Sequence, residues 1–161
     1  WPYNNIRLWK HDQTGKWRFF LVDMDGTFGE PHHNTLNRLY HFTSERYPNE
    51  VNACNILFRR LIQNDSFRKQ FKNRYIDLLN TDLHSDLLTT KAEECIKQIG
   101  KQGFVNQHIA RWGHPSTSDY DKWCKKLLKW CEERPSKARE QLDELINEVE
   151  SSLNEEFVTI Q

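Results

Sequence analysis

A chain of 161 residues suits one domain, and its 23 basic against 23 acidic side chains leave no global electrostatic pull toward nucleic acid or an anionic membrane. Aromatic residues at 12%, charged residues at 29% and only six glycines describe a helix-rich globule with a real core and argue against disorder. No apolar run approaches the roughly 20 residues of a membrane-spanning helix, and no signal peptide opens the chain.

The first residues, Trp1-Pro2-Tyr3-Asn4-Asn5, begin in mid-motif without an initiator methionine, so the chain reads as a fragment. Ile6–Lys10 predicts a short strand, His11–Lys16 a polar turn containing Gly15, and Trp17–Asp23 a second strand. Both faces of that second strand are apolar (Trp17, Phe19 and Leu21 on one, Phe20 and Val22 on the other), which predicts a mostly buried strand. The two strands make an antiparallel hairpin, with Asn5 just before the first and Asp23 at the end of the second, so those two ends come together.

After Gly26 the apolar period changes from 2 to 3.6 and the rest reads as helix. Residues 26–34 form a loop with Gly29 and Pro31, and Asn34 caps a helix over Thr35–Arg46. Ala53–Gln63 is helical. Phe67, Phe71, Tyr75, Leu78 and Leu79 mark the next amphipathic helix after the interruption at Asn64-Asp65-Ser66. Ser85–Ile99 ends at Gly100 and Gly103, and Phe104–Trp112 ends at Gly113-His114-Pro115. Ser118–Glu133 carries Tyr120, Trp123, Leu127, Trp130 and Cys131 on one side. Pro135 opens a last helix striped by Ala138, Leu142, Leu145 and Val149, and 150–161 are expected as a loose tail or late strand. Phe67, Phe71, Leu78, Trp123, Leu127 and Trp130 are the expected core, packed on the hairpin.

The chemistry concentrates in Phe19–Gly29, FFLVDMDGTFG. Carboxylates at Asp23 and Asp25, at the end of an apolar strand, are costly unless they bind something. A strand ending in D-x-D-G-T resembles the haloacid-dehalogenase-like phosphatases, whose first Asp is a nucleophile and second a general acid. That fold needs several more parallel strands, and no apolar β-branched run follows residue 29, which disfavours it. Phosphoryl transfer by kinases also uses an Asp after a hairpin. A loop Asp orients the hydroxyl, an Asn five residues later binds Mg²⁺, and a hairpin leads to a second metal-binding Asp. Asn5 fits the Asn, Asp23 fits the later Asp, and the base Asp would fall immediately before Trp1.

These residues resemble the CotH-like kinases, atypical protein kinases named for a spore-coat protein. The likeness rests on W-P-Y-N-N-I-R-L-W at 1–9 and K-W-R-F-F-L-V-D-M-D-G-T-F-G at 16–29. It continues through L-I-Q-N-D-S-F-R at 61–68 with Phe71 and Arg74, then Phe104 and H-I-A-R-W at 108–112, and closes with Trp123 and Glu133-Arg134-Pro135. The resemblance implies a mostly α fold, a kinase-like C-lobe with one N-terminal β-hairpin and a helical bundle, over residues 1–161. It implies that Asn5 and Asp23 bind Mg²⁺ and ATP, that Asn4 braces their loop, and that Asp25 touches a second metal or anchors the loop. It implies a protein substrate phosphorylated on Ser or Thr, an N-lobe partner that this chain lacks, and a bacterial, exported setting at the cell envelope or spore surface. A fragment without the base Asp and the N-lobe is expected to be inactive alone. The other class of function is a non-catalytic, pseudokinase-like scaffolding module of the envelope or coat.

The remaining polar clusters have plain structural readings. His32-His33 reads as a solvated loop pair. Arg111, a helical turn from His108 and beside Trp112, reads as stacked on an aromatic ring or paired with a Glu, and Arg134 as paired locally at a helix junction. Lys122, Lys125, Lys126 and Lys129 read as a solvated helix face, with substrate docking the weaker option. The cysteines, Cys54, Cys95, Cys124 and Cys131, lack the spacing of a zinc site, and Cys124 and Cys131 read as free buried thiols on one helix face.

Overall fold

A computed structural model describes residues 6–22, 27–41, 53–101 and 103–159. Strand β1 (Ile6–Lys10) pairs antiparallel with β2 (Trp17–Leu21), and Ile6 faces Leu21 at the open end. The turn closes through His11 N–H to the Lys16 carbonyl at 3.0 Å and Gly15 N–H to the His11 carbonyl at 2.7 Å. Gly15 sits at φ 64°, where a side chain would be strained.

Six helices follow among the described residues: α1 (Thr35–His41), α2 (Ala53–Gln63), α3 (Asp65–Asn80), α4 (Ser85–Lys101), α5 (Phe104–Trp112) and α6 (Thr117–Thr159). The fold is therefore mostly α, one antiparallel hairpin followed by a helical bundle. The sheet is two-stranded, and the parallel sheet that a haloacid-dehalogenase-like phosphatase needs is absent among the described residues. Asn34 caps α1, its Oδ1 accepting from Asn37 N–H at 2.9 Å. Asn64 caps α3, accepting from Phe67 N–H at 3.0 Å. Gly113 ends α5 in the left-handed conformation, φ 72°.

The 61–68 block has a structural job. Arg68 is buried, and its guanidinium turns back to the Ile62 and Gln63 carbonyls at 3.3 and 3.2 Å, with Asp65 at 3.0 Å. It satisfies carbonyls that the end of α2 leaves open and so fixes the α2–α3 turn. Asn55, also buried, does the same for α1 by donating to the Leu39 carbonyl at 3.0 Å.

Four expectations are corrected. Pro135 does not open a helix: it lies inside α6, which runs unbroken from Thr117 to Thr159. A proline in a helix interior costs about 3 kcal/mol. Here Cys131 is buried on one side of it, and Ala138, Leu142, Leu145, Ile146 and Val149 are buried on the other. At about 1.5–3 kcal/mol for each large apolar side chain, that packing outweighs the break. The same stripe keeps α6 helical past residue 150, where a loose tail or late strand was expected; residues 160–161 lie outside the described set.

The core is also not the expected one. Leu36, Ile62, Leu142, Leu145, Ile146 and Val149 form it, with Tyr40, Phe58, Phe67, Phe71, Tyr75 and Ile76 packed around them. Phe67 and Phe71 join that rim, Leu78, Leu127 and Trp130 are only half-buried, and Trp123 is 56% exposed.

The hairpin, finally, is not covered. No described helix packs on it, and Leu8, Trp9, Trp17, Phe19 and Phe20 are exposed on its two faces. Its strands carry the apolar load of a buried sheet, yet the helices spend their apolar stripes on one another. Arg18 lies over the Trp9 ring and Lys10 over Trp17, each about 6.0 Å from the centroid, in place of a packed partner.

Candidate functional site

The site expected from the sequence lies at the open end of the hairpin. Asn4, Asn5, Asp23 and Asp25 fall outside the described residues, so the structure speaks to the elements on either side of them. The chain enters β1 at Ile6 and leaves β2 at Leu21, and these two residues are register partners. A one-residue slip would change which residues meet at that end and would turn each side chain to the opposite face.

Downstream, the chain is again described from Thr27, and the following loop is strapped to α6. Pro31 is buried. Arg134 Nη1 donates to the Pro31 carbonyl at 2.9 Å and the His33 carbonyl at 3.1 Å, and to Gln141 Oε1 at 2.9 Å. Gln141, buried itself, donates through Nε2 to the His32 carbonyl at 3.0 Å. Asn34 Nδ2 donates to Glu144 Oε2 at 3.2 Å. Phe28 meets Trp130 edge to face with centroids 4.9 Å apart. The carbonyls of three successive positions, 31–33, are therefore held by two side chains seven residues, two helical turns, apart on α6.

A cleft of about 300 Å³ opens between this loop and α6, lined by Pro31, His32, Lys125, Lys126, Lys129 and Trp130 with Glu30 and Glu133. Lys126 bonds Glu30 at 2.7 Å and holds that carboxyl below its ordinary value. Lys129 faces Glu133 at 3.7 Å. Lys125, Lys126 and Lys129 are exposed, as a solvated helix face implies, and they also border this cleft. His32 and His33 serve the fold through their main-chain carbonyls, while their imidazoles are exposed. Arg111 stacks over Trp112, its guanidinium carbon 5.1 Å from the ring centroid, as expected from the sequence.

Arg134 does not pair only within its own helix, where it meets Gln141. Its main-chain acceptors lie 101 and 103 positions away. No local spacing signals such a contact; the only available hint was the Glu133-Arg134-Pro135 motif itself. Gln141 had no such hint and was missed.

The family model described as CotH kinase protein matches residues 2–138, most of the chain. No curated protein and no solved structure matches it. The matched span takes in the hairpin, α1 to α5 and α6 as far as Ala138, including Arg134. The chain belongs to the CotH kinase family.

Proposed function

We propose that this CotH-family chain is the C-terminal half of an ATP-dependent protein kinase, in which Asn5 and Asp23 hold Mg²⁺ for transfer of phosphate to Ser or Thr of a protein substrate. The observation that carries the reading is the Ile6–Leu21 register, which sets the strand positions leading to Asn5 and to Asp23 side by side. The donor set suits the ion: Mg²⁺ takes one or two carboxylates with neutral oxygen ligands and substrate phosphates. When bound, the ion neutralises charge on the phosphate oxygens. Asn5 contributes an amide oxygen and Asp23 a carboxylate, and Asp25 has the role of a second metal contact or a loop anchor. The hairpin pairs the described strands that flank these residues in sequence, and α6 straps the loop that follows them.

The uncovered hairpin supports the same reading. An isolated two-stranded hairpin is at best marginally stable, and this one exposes aromatic side chains on both faces. A second lobe laid over the hairpin would bury them and would supply the upper half of the nucleotide site. By the resemblance, the setting is the cell envelope or spore surface; no described helix is long and apolar enough to cross a membrane.

The test is incubation of the intact protein with γ-labelled ATP alongside an acyl-phosphate trap. Label on a protein Ser or Thr, lost in Asp23→Asn, is the expected result. A trapped aspartyl-phosphate on Asp23 overturns it, and a folded protein that transfers nothing points to the scaffolding alternative.

A further inference from the structure

The lysines of α6 carry charge that the fold does not use up. Lys122, Lys125, Lys126 and Lys129 recur at the spacing of one helix face, and the last three border the cleft beside Pro31, His32 and Trp130. Lys126 is taken by Glu30 at 2.7 Å. Lys129 stands 3.7 Å from Glu133, beyond ordinary hydrogen-bond length, so that pair leaves its ammonium donors free. Lys125 has no acidic partner among the described residues. Like charges one turn apart on a helix repel. Lys125 and Lys129 are such a pair, and an anion bound between them would relieve the repulsion.

The walls of the cleft are set before anything binds. Arg134 and Gln141 hold the carbonyls of Pro31, His32 and His33, and Glu30 is tied to Lys126. Little ordering is then required of a ligand's seat, and ordering is a main cost of association. The geometry also selects among anions. Lys125 and Lys129 are four residues apart, a rise of about 6 Å along the helix. Alternate side chains of an extended peptide are spaced by roughly 6.6 Å, nearly the same. Pro31 and Trp130 add apolar surface beside the charges, and Trp is a frequent anchor of protein interfaces. Asp121 and Glu132 bound the lysine stripe in sequence, and Glu30 and Glu133 line the cleft. A long polyanion or a flat anionic membrane would meet these carboxylates as well as the ammonium groups, whereas a short segment fits between them.

We propose that this cleft docks an extended acidic segment of a partner protein, with carboxylates at alternate positions on Lys125 and Lys129 and a neighbouring apolar side chain on Pro31 and Trp130. The docking goes beyond the phosphotransfer reading and does not depend on it.

The experiment measures binding of the intact protein to a fluorescein-labelled peptide by fluorescence anisotropy at low salt. The peptide has Glu at alternate positions, with Ser and one Leu between them; a second peptide carries Gln for every Glu. The double variant Lys125→Glu/Lys129→Glu is compared with wild type and with Lys91→Glu/Lys97→Glu, an equal charge change at exposed positions of α4. Removing one exposed charge pair weakens an interaction by about 1.5- to 5-fold, and reversal adds repulsion, so the cleft variant should lose about tenfold or more in affinity. The Gln peptide should bind about tenfold more weakly than the Glu peptide, and added salt should weaken the Glu peptide. The α4 variant should stay within about twofold of wild type, its charges lying away from the cleft. If the double cleft variant fails to fold, Lys125→Glu decides, with a loss of about threefold or more. A folded cleft variant that binds within about twofold of wild type, or an equal loss in the α4 variant, overturns the proposal. So does equal binding of the Gln peptide, or a wild type that binds nothing at ~1 mM Glu peptide. Phosphatidylserine vesicles are run alongside; vesicle binding that the cleft variant loses, without peptide binding, overturns the proposal in favour of a membrane surface.

Discussion

The ring of Phe28 meets the ring of Trp130 edge to face, 4.9 Å between centroids and 82° between planes. One residue sits in the loop that leaves the aspartate motif; the other sits about a third of the way along α6. Aromatic pairs in this arrangement contribute about 0.5–1.5 kcal/mol beyond the area they bury. A double-mutant cycle of Phe28→Leu and Trp130→Leu, read by urea unfolding, should return a coupling energy in that range. A coupling near zero would mean that the contact does not hold the loop.

The core residues make a sharper prediction. Leu142 is fully buried, and Leu142→Ala should cost about 2–5 kcal/mol. Trp123 is more than half exposed, so Trp123→Ala should stay within about 0.5 kcal/mol of wild type despite the size of the ring. The ranking is testable by chemical denaturation with both variants at one temperature, and the reverse order would contradict the packing described.

Acid should loosen the loop at a defined place. The Lys126 ammonium, by hydrogen bond and charge, holds the Glu30 carboxyl below its ordinary 4.5. A group whose value is lowered in the folded state favours folding when ionised. Its contribution is complete above the ordinary value and is lost as pH falls through the lowered one. Amide exchange over 27–34, corrected for its intrinsic pH dependence, should therefore accelerate below about pH 4.5. In Glu30→Gln that acid-dependent step should be missing. Asp119, lowered by the Ser116 hydroxyl, should produce a second acid-sensitive step at the start of α6.

Thiol reactivity should separate the cysteines. Cys131 is buried, and burial pushes its thiol above the ordinary range, whereas Cys95 is exposed. Since the thiolate is the reactive form, iodoacetamide near neutral pH should label Cys95 readily and leave Cys131 untouched until the protein unfolds. Mass spectrometry of peptic fragments, with and without urea, reads this directly.

Much of the architecture was legible where local rules decide. Strand β1, α2 and α5 fall at the boundaries that periodicity and the flanking Gly and Asn residues imply. Asn34 and Asn64 cap as their positions suggest. Local rules failed where packing overrode them. Pro135 carries the signal of a helix start, but a buried stripe on both sides of it keeps one helix going. The apolar faces of β2 implied burial, and nothing local could say that the covering surface is not among these helices. As for the candidate site, Asn5, Asp23 and Asp25 rest on motif and spacing alone. The residues that strap the loop after them, Arg134 and Gln141, become visible only when contacts across a hundred positions are known.

The C-terminal helix also has a consequence for biosynthesis. Leu36 and Ile62 share one core with Leu142, Leu145, Ile146 and Val149. A ribosome therefore releases the first helices well before the surface that shelters them exists. Domains tend to fold as units while synthesis proceeds at about 5–20 residues per second, and contacts of long sequence separation form slowly. A nascent chain halted before Leu142 would display Leu36 and Ile62 to whatever chaperone or protease is nearby. Consolidation would be a late, single event, triggered when the far end of α6 emerges.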